Sequence, residues 1–88
     1  MTRLPESELE VMLVLWENDG EEMSVNAVWE KVEARKKLTM GALHSYLNRL
    51  EEKGFLSCRK AGKYKMIRPL VSKADYMEQE GETLLGRF

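Results

Sequence analysis

Apolar residues recur at helical spacing through three successive stretches of the chain and then at the alternating spacing of strands. In LPESELEVMLVLWENDG, Leu9, Met12, Leu13 and Trp16 fall at i, i+3, i+4 and i+7. Val11, Val14 and Leu15 widen that face, which predicts a central helix. Pro5 suits its first turn, Glu6 and Glu8 favour its positive N-terminal end, and Asn18-Asp19-Gly20 stops it. In SVNAVWEKVEARKK, Ser24 is an N-cap, and Val25, Val28, Trp29 and Val32 repeat the spacing before the basic run Arg35-Lys36-Lys37. Trp16 and Trp29 read as core anchors. Thr39 caps a third helix over 40–53, where Leu43, Leu47 and Leu50 form a stripe flanked by Met40 and Tyr46. Gly54 stands where a left-handed C-terminal residue ends it.

From Phe55 the period shortens. In FLSCRKAGKYKMIRPL, Tyr64, Met66 and Arg68 alternate with Lys65 and Ile67, and Ala61-Gly62 supplies a turn. The pattern predicts antiparallel strands over 55–60 and 63–68. Pro69 ends the second, since it has no N–H for the ladder. Ser72 caps a fourth helix with Met77, Leu84, Leu85 and Phe88 as apolar contacts, and its end at a barely covered Leu84-Leu85 reads as an interrupted element. The order helix, helix, helix, hairpin, helix predicts a mainly α fold with a small β-hairpin. That is a winged helix-turn-helix, with a three-helix core and a two-stranded wing, whose third helix enters the DNA major groove.

The formal net charge of −1 hides a segregated pattern. Residues 1–30 carry eight acids and one base, residues 31–73 carry twelve bases and three acids, and residues 74–88 carry four acids and one base. Such a layout can give a small domain one positive face, the footprint of phosphate binding, although it also suits scattered surface charge. With 88 residues the chain suits a single small domain. It has one cysteine, Cys58, so no internal disulfide or multi-cysteine zinc site can form, which fits a reducing cytosol. No apolar run suits a signal peptide or a membrane span. The expected localisation is cytoplasmic.

The face of the third helix opposite its leucines is small and polar. His44, Ser45 and Asn48 are placed to reach base edges, Asn48 suiting adenine and His44 suiting guanine acceptors. Gly41, with Ala42 beside it, lets the backbone approach closely, and Thr39 at the helix N-terminus suits a phosphate. The competing reading is a plain solvent face. Arg49 either reaches a flanking phosphate or pairs with Glu52 or Glu33. On the wing, Arg59, Lys60, Lys63 and Lys65 with Tyr64 between them suit phosphates or the minor groove, and the lysines equally suit an edge guarded against aggregation. No motif suggests a catalytic site, a metal, a cofactor or a small-molecule ligand. Cys58, in a strand, reads as a small buried hydrophobe.

These stretches also resemble a known family. ELEVMLVLWE, SVNAVWEKV, LTMGALHSYLNRLEEKGFL and YKMIRPLVSKADY are similar to the penicillinase-repressor family (BlaI/MecI/CopY), over nearly the whole chain. The resemblance rests on a Trp ending the first helix, Asn48-Arg49-Leu50 before Lys53-Gly54, and Pro-Leu-Val-Ser after the wing. It implies a dimeric bacterial repressor of β-lactamase, methicillin-resistance or copper-transport operons, bound to a palindromic double-stranded operator. It further implies residues 1–71 as the winged-helix DNA-binding domain and 72–88 as the start of a truncated C-terminal dimerisation helix, with Met77, Leu84, Leu85 and Phe88 in the dimer seam. The family's recognition helix usually carries more basic or hydroxyl residues at the positions of Gly41, Ala42 and His44, so operator preference does not transfer. The alternative is a winged-helix module that binds another protein without DNA.

Overall fold

The first helix, α1 (Glu6–Glu17), carries the core of the molecule. In the computed structural model, which describes residues 3–78, Val11, Met12, Val14 and Leu15 are fully buried and Trp16 nearly so. The buried stripe is rotated from the expected one: Leu9 and Leu13 are only half-buried, and Glu8 occupies a core position with Val11, Met12 and Leu15. Asp19 takes a positive φ of 59° just beyond the helix, and the Asp19 and Gly20 N–H groups donate to the carbonyls of Trp16 and Leu15. That is the Schellman arrangement, which satisfies carbonyls the helix itself leaves open.

A two-residue strand, β1 (Met23–Ser24), leads into α2 (Val25–Arg35). Ser24 Oγ accepts the Ala27 N–H, as expected of the cap. Val25, Val28 and Val32 are buried, whereas Trp29 is half-buried rather than a core anchor. Its indole N–H is enclosed without an acceptor among the described residues. The third helix, α3 (Met40–Glu52), is capped by Thr39 Oγ1 accepting the Ala42 N–H. It ends in a second Schellman turn, where Gly54 (φ 82°) and Phe55 donate to Glu51 and Leu50. Leu43, Leu47 and Leu50 are wholly buried, and each such side chain stabilises the fold by about 2 kcal/mol through its transfer from water.

The wing consists of β2 (Leu56–Ala61) and β3 (Tyr64–Pro69), one residue later than the period suggested. Ala61 pairs with Tyr64, so the turn is Gly62-Lys63 and not Ala61-Gly62. Gly62 has φ 64° and Lys63 is not left-handed, the type II′ pattern that matches strand twist. Pro69 lies within β3 as its last residue, opposite Leu56. The sheet has three strands rather than two, in the order β1-β3-β2, all antiparallel, with Met23 opposite Ile67. A two-residue strand leaves no periodicity to read, so the sequence did not reveal it.

Beyond the wing, Ser72 Oγ accepts the Asp75 N–H and residues 73–78 are helical. Tyr76 is buried, and its hydroxyl accepts the Leu4 N–H at 3.0 Å. Its ring lies 5.7 Å from Trp16 and 5.9 Å from Phe55, and the Trp16 indole donates to the Val71 carbonyl. The post-wing segment is thus fastened to α1 and to the end of α3. Met77 is exposed, while Leu84, Leu85 and Phe88 lie outside the described residues. Among the described residues no helix is long and apolar enough to cross a membrane.

Candidate nucleic-acid interface

Burying Leu43, Leu47 and Leu50 on one face turns the residues one and two positions away from them to water. Gly41, His44, Ser45, Asn48 and Arg49 are all exposed, with Ala42 half-buried at the edge of the face. At Gly41 an added methyl would meet only the Thr39 side chain, at 3.9 Å, so the space over this backbone is open. Thr39 is exposed, and its oxygen is engaged in capping. Neither Glu33 nor Glu52 pairs with Arg49. The helix therefore presents one uncluttered face with an imidazole, a hydroxyl and an amide along it.

The wing tip stands beside the N-terminal end of that face. A cleft of about 220 Å³ is lined by Ser24, Val25 and Asn26 at the start of α2, Met40 and His44 of α3, and Lys63, Tyr64 and Lys65 of the wing. Tyr64 is 52% exposed, and its ring stacks on no other aromatic ring among the described residues. Lys60 and Lys65 are direct cross-strand partners near the tip. Like charges facing each other across a ladder are destabilising. Asn26 was not among the sequence candidates, since nothing in its neighbourhood sets it apart from an ordinary first-turn residue.

Ion pairs sort the remaining cations. Arg35 bonds Glu17 and Glu10, Lys36 approaches Glu6 at 4.0 Å, Lys53 meets Glu8 at 2.7 Å, and Arg59 is held by Glu22 at 2.6 Å. Every acid in these pairs comes from residues 1–30, and every base from residues 31–73. Lys37, Arg49, Lys60, Lys63 and Lys65 make no ion pair among the described residues. The acidic block thus pairs with Arg35, Lys36, Lys53 and Arg59 and leaves Arg49 of α3 and the lysines of the wing tip without an ion pair among the described residues. Arg59, expected among the wing contacts, is instead bound by both oxygens of Glu22. That contact lowers the Glu22 carboxyl below its usual range and raises the Arg59 guanidinium.

Cys58 is half-buried on β2, and its backbone N–H donates to Glu51. Burial, then the Glu51 charge, pushes its thiol above the ordinary value against a smaller opposing pull from Lys65. A protonated, half-buried thiol is a poor nucleophile. Among the described residues, no three His, Cys, Asp or Glu side chains are grouped to hold a metal.

The family model described as Penicillinase repressor matches residues 4–88. The DNA-binding domain of the repressor BlaI is similar in structure, with a TM-score of 0.72 and 27% identity over 84% of this chain and 88% of that one. Bacillus licheniformis BlaI, as a monomer in complex with the blaP half-operator, superposes with a TM-score of 0.69 at 27% identity, over 85% and 89% of the two chains. The CopR repressor matches with a TM-score of 0.65 and 27% identity, covering 81% of this chain and all of that one (100%). No curated protein sequence matches.

Proposed function

This chain belongs to the penicillinase repressor family, whose members are winged-helix DNA-binding regulators and not enzymes, and we propose that it represses transcription by occupying a palindromic double-stranded operator as a homodimer. In this reading α3 lies in the major groove, with His44, Ser45 and Asn48 toward base edges, Gly41 and Ala42 at close approach, and Thr39 and Arg49 toward phosphates. Lys60, Lys63, Tyr64 and Lys65 rest on the adjoining backbone. The protein acts in the cytoplasm, on an antibiotic-resistance or metal-transport operon.

The observation that carries this reading is the cross-strand pair Lys60 and Lys65, beside Lys63, none of which has an ion-pair partner among the described residues. The acidic segment pairs with Arg35, Lys36, Lys53 and Arg59 but leaves these like charges facing each other. A phosphate backbone offsets that repulsion. The half-operator bound by the related BlaI supports an operator built of two halves, one for each copy of α3. Exclusion of polymerase follows where such a site overlaps a promoter.

The test is a band shift with a palindromic operator fragment recovered by selection from random duplexes. Wild-type protein shifts it at low salt to a complex of two chains per fragment, and Lys63→Glu abolishes the shift. A selection that enriches no sequence, together with a Lys63→Glu protein that binds as well as wild type, would overturn the proposal.

A further inference from the structure

Glu22 withholds one arginine from the wing. Arg59 lies on β2 two residues before its end at Ala61, and alternation along the strand puts it on the sheet face opposite Leu56 and Cys58. Its Nε and one terminal nitrogen donate to the two Glu22 oxygens, each at 2.6 Å. This parallel pair of bonds is the geometry in which a guanidinium holds a phosphate. The register shows which way the side chain is drawn. Met23 opposes Ile67, so Glu22 continues the ladder toward Arg68, whereas Arg59 opposes Met66, nearer the tip. The guanidinium is therefore pulled toward the stem of the hairpin and away from the tip. Arg68 lies near the same carboxylate, attracting it without a bond.

We infer that Glu22 acts as an internal phosphate mimic that competes with the DNA backbone for Arg59, and so holds the affinity of the wing below what its sequence would give. The inference rests on the DNA-binding reading. The Arg59 side chain is 62% exposed, and an exposed ion pair is weak, so the contact can open. While it is closed, the bidentate donors that a phosphate would use are occupied. Glu22 is thus a tuning residue that touches no DNA, and its removal adds a cation to the interface without adding a residue.

A double-mutant cycle tests this, using fluorescence anisotropy of a mixed-sequence duplex across a salt series with wild type, Glu22→Gln, Arg59→Ala and the double variant. Thermal unfolding first establishes that all four are folded, as expected for substitutions at an exposed pair. Glu22→Gln is expected to bind about 3- to 10-fold more tightly at low salt, with a log–log salt slope steeper by about 0.9, the increment of one further phosphate contact. Arg59→Ala stays within about twofold of wild type, and in that background Glu22→Gln gains less than about twofold, since the arginine it would release is gone. Weaker binding by Glu22→Gln would mean that Glu22 holds Arg59 in place for DNA, and would overturn the inference. An equal gain with and without Arg59 would reduce Glu22 to a distant charge, with the same consequence. A wild-type protein that binds no duplex at low salt overturns the DNA-binding reading itself. Binding by wild type with no gain in Glu22→Gln overturns only the competition.

Discussion

Asn48 is the residue of the exposed α3 face whose amide can both donate to and accept from one base edge, the bidentate match to adenine. Asn48→Ala should therefore relax discrimination at one base pair of the preferred site by about 1–3 kcal/mol, leaving affinity for unrelated duplex unchanged. Competition anisotropy with single-base operator variants checks this, and equal weakening on every sequence would remove Asn48 from the base readers. Glu22 carries a second residue-level prediction. The hydrogen bonds from Arg59 hold its carboxyl below the ordinary 4.5, against a smaller desolvation effect. A depressed carboxyl stabilises the fold above its unfolded value, and the contribution fades as pH falls through the folded value. The difference in melting temperature between wild type and Glu22→Gln should be widest near neutrality and close below pH 4.5; a difference constant with pH would contradict it. At this scale the sequence was legible wherever the chemistry is local: Ser24, Thr39 and Ser72 cap as read, and Gly54 ends α3 as read. Glu8 with Lys53, Glu22 with Arg59, and Tyr76 with Leu4 were not legible, because each partner is tens of residues away and only the fold brings it near.

Among the elements, α3 followed its pattern most closely, because a narrow leucine stripe on an otherwise polar helix admits one orientation. The apolar positions of α1 run nearly all the way round, so its pattern left the direction of the core undecided. The core took the face shared by Glu8, Val11, Met12 and Leu15. Glu8 is tolerated there because Lys53, at the end of α3, donates to it at 2.7 Å. Its carboxylate is 3% exposed and the Lys53 side chain 29%, so the two charges are not equally easy to leave alone. Removing Lys53 strands a buried anion, whereas removing Glu8 frees an ammonium that can turn to water. Lys53→Met should cost about 2–3 kcal/mol and Glu8→Met close to none, since an isolated buried charge is worse than an apolar replacement for the pair. Chemical denaturation of the two variants decides it, and equal losses would show the pair acting as a plain surface contact. The strand boundaries missed by one residue because both Ala61-Gly62 and Gly62-Lys63 fit a two-residue loop by composition. Backbone geometry settles on the second, since only glycine readily supplies the positive φ at the first turn position.

For the whole molecule the separation of charge along the chain, and the positive face it could give, were visible in the sequence, but which cations would stay unpaired was not. A formal net charge of −1 gives no hint of a polyanion partner, and the charge blocks suited either one positive face or scattered surface charge. The fold turns five of those acids onto Arg35, Lys36, Lys53 and Arg59, and leaves Arg49 on α3 and Lys60, Lys63 and Lys65 at the wing tip without an ion pair among the described residues. The central claim is that this remaining positive surface is a phosphate-binding surface, so the most direct measurement is the salt dependence of binding to duplex DNA. With Arg49, Lys60, Lys63 and Lys65 as contacts, the log–log slope should be about −3 to −4 for each protein copy, because each neutralised phosphate contributes about −0.9. Lys60→Ala with Lys63→Ala should reduce its magnitude by about two, while Lys36→Ala, on the neutralised side, should leave it unchanged. A slope near zero, or the same loss from Lys36→Ala as from the wing-tip pair, would contradict the account.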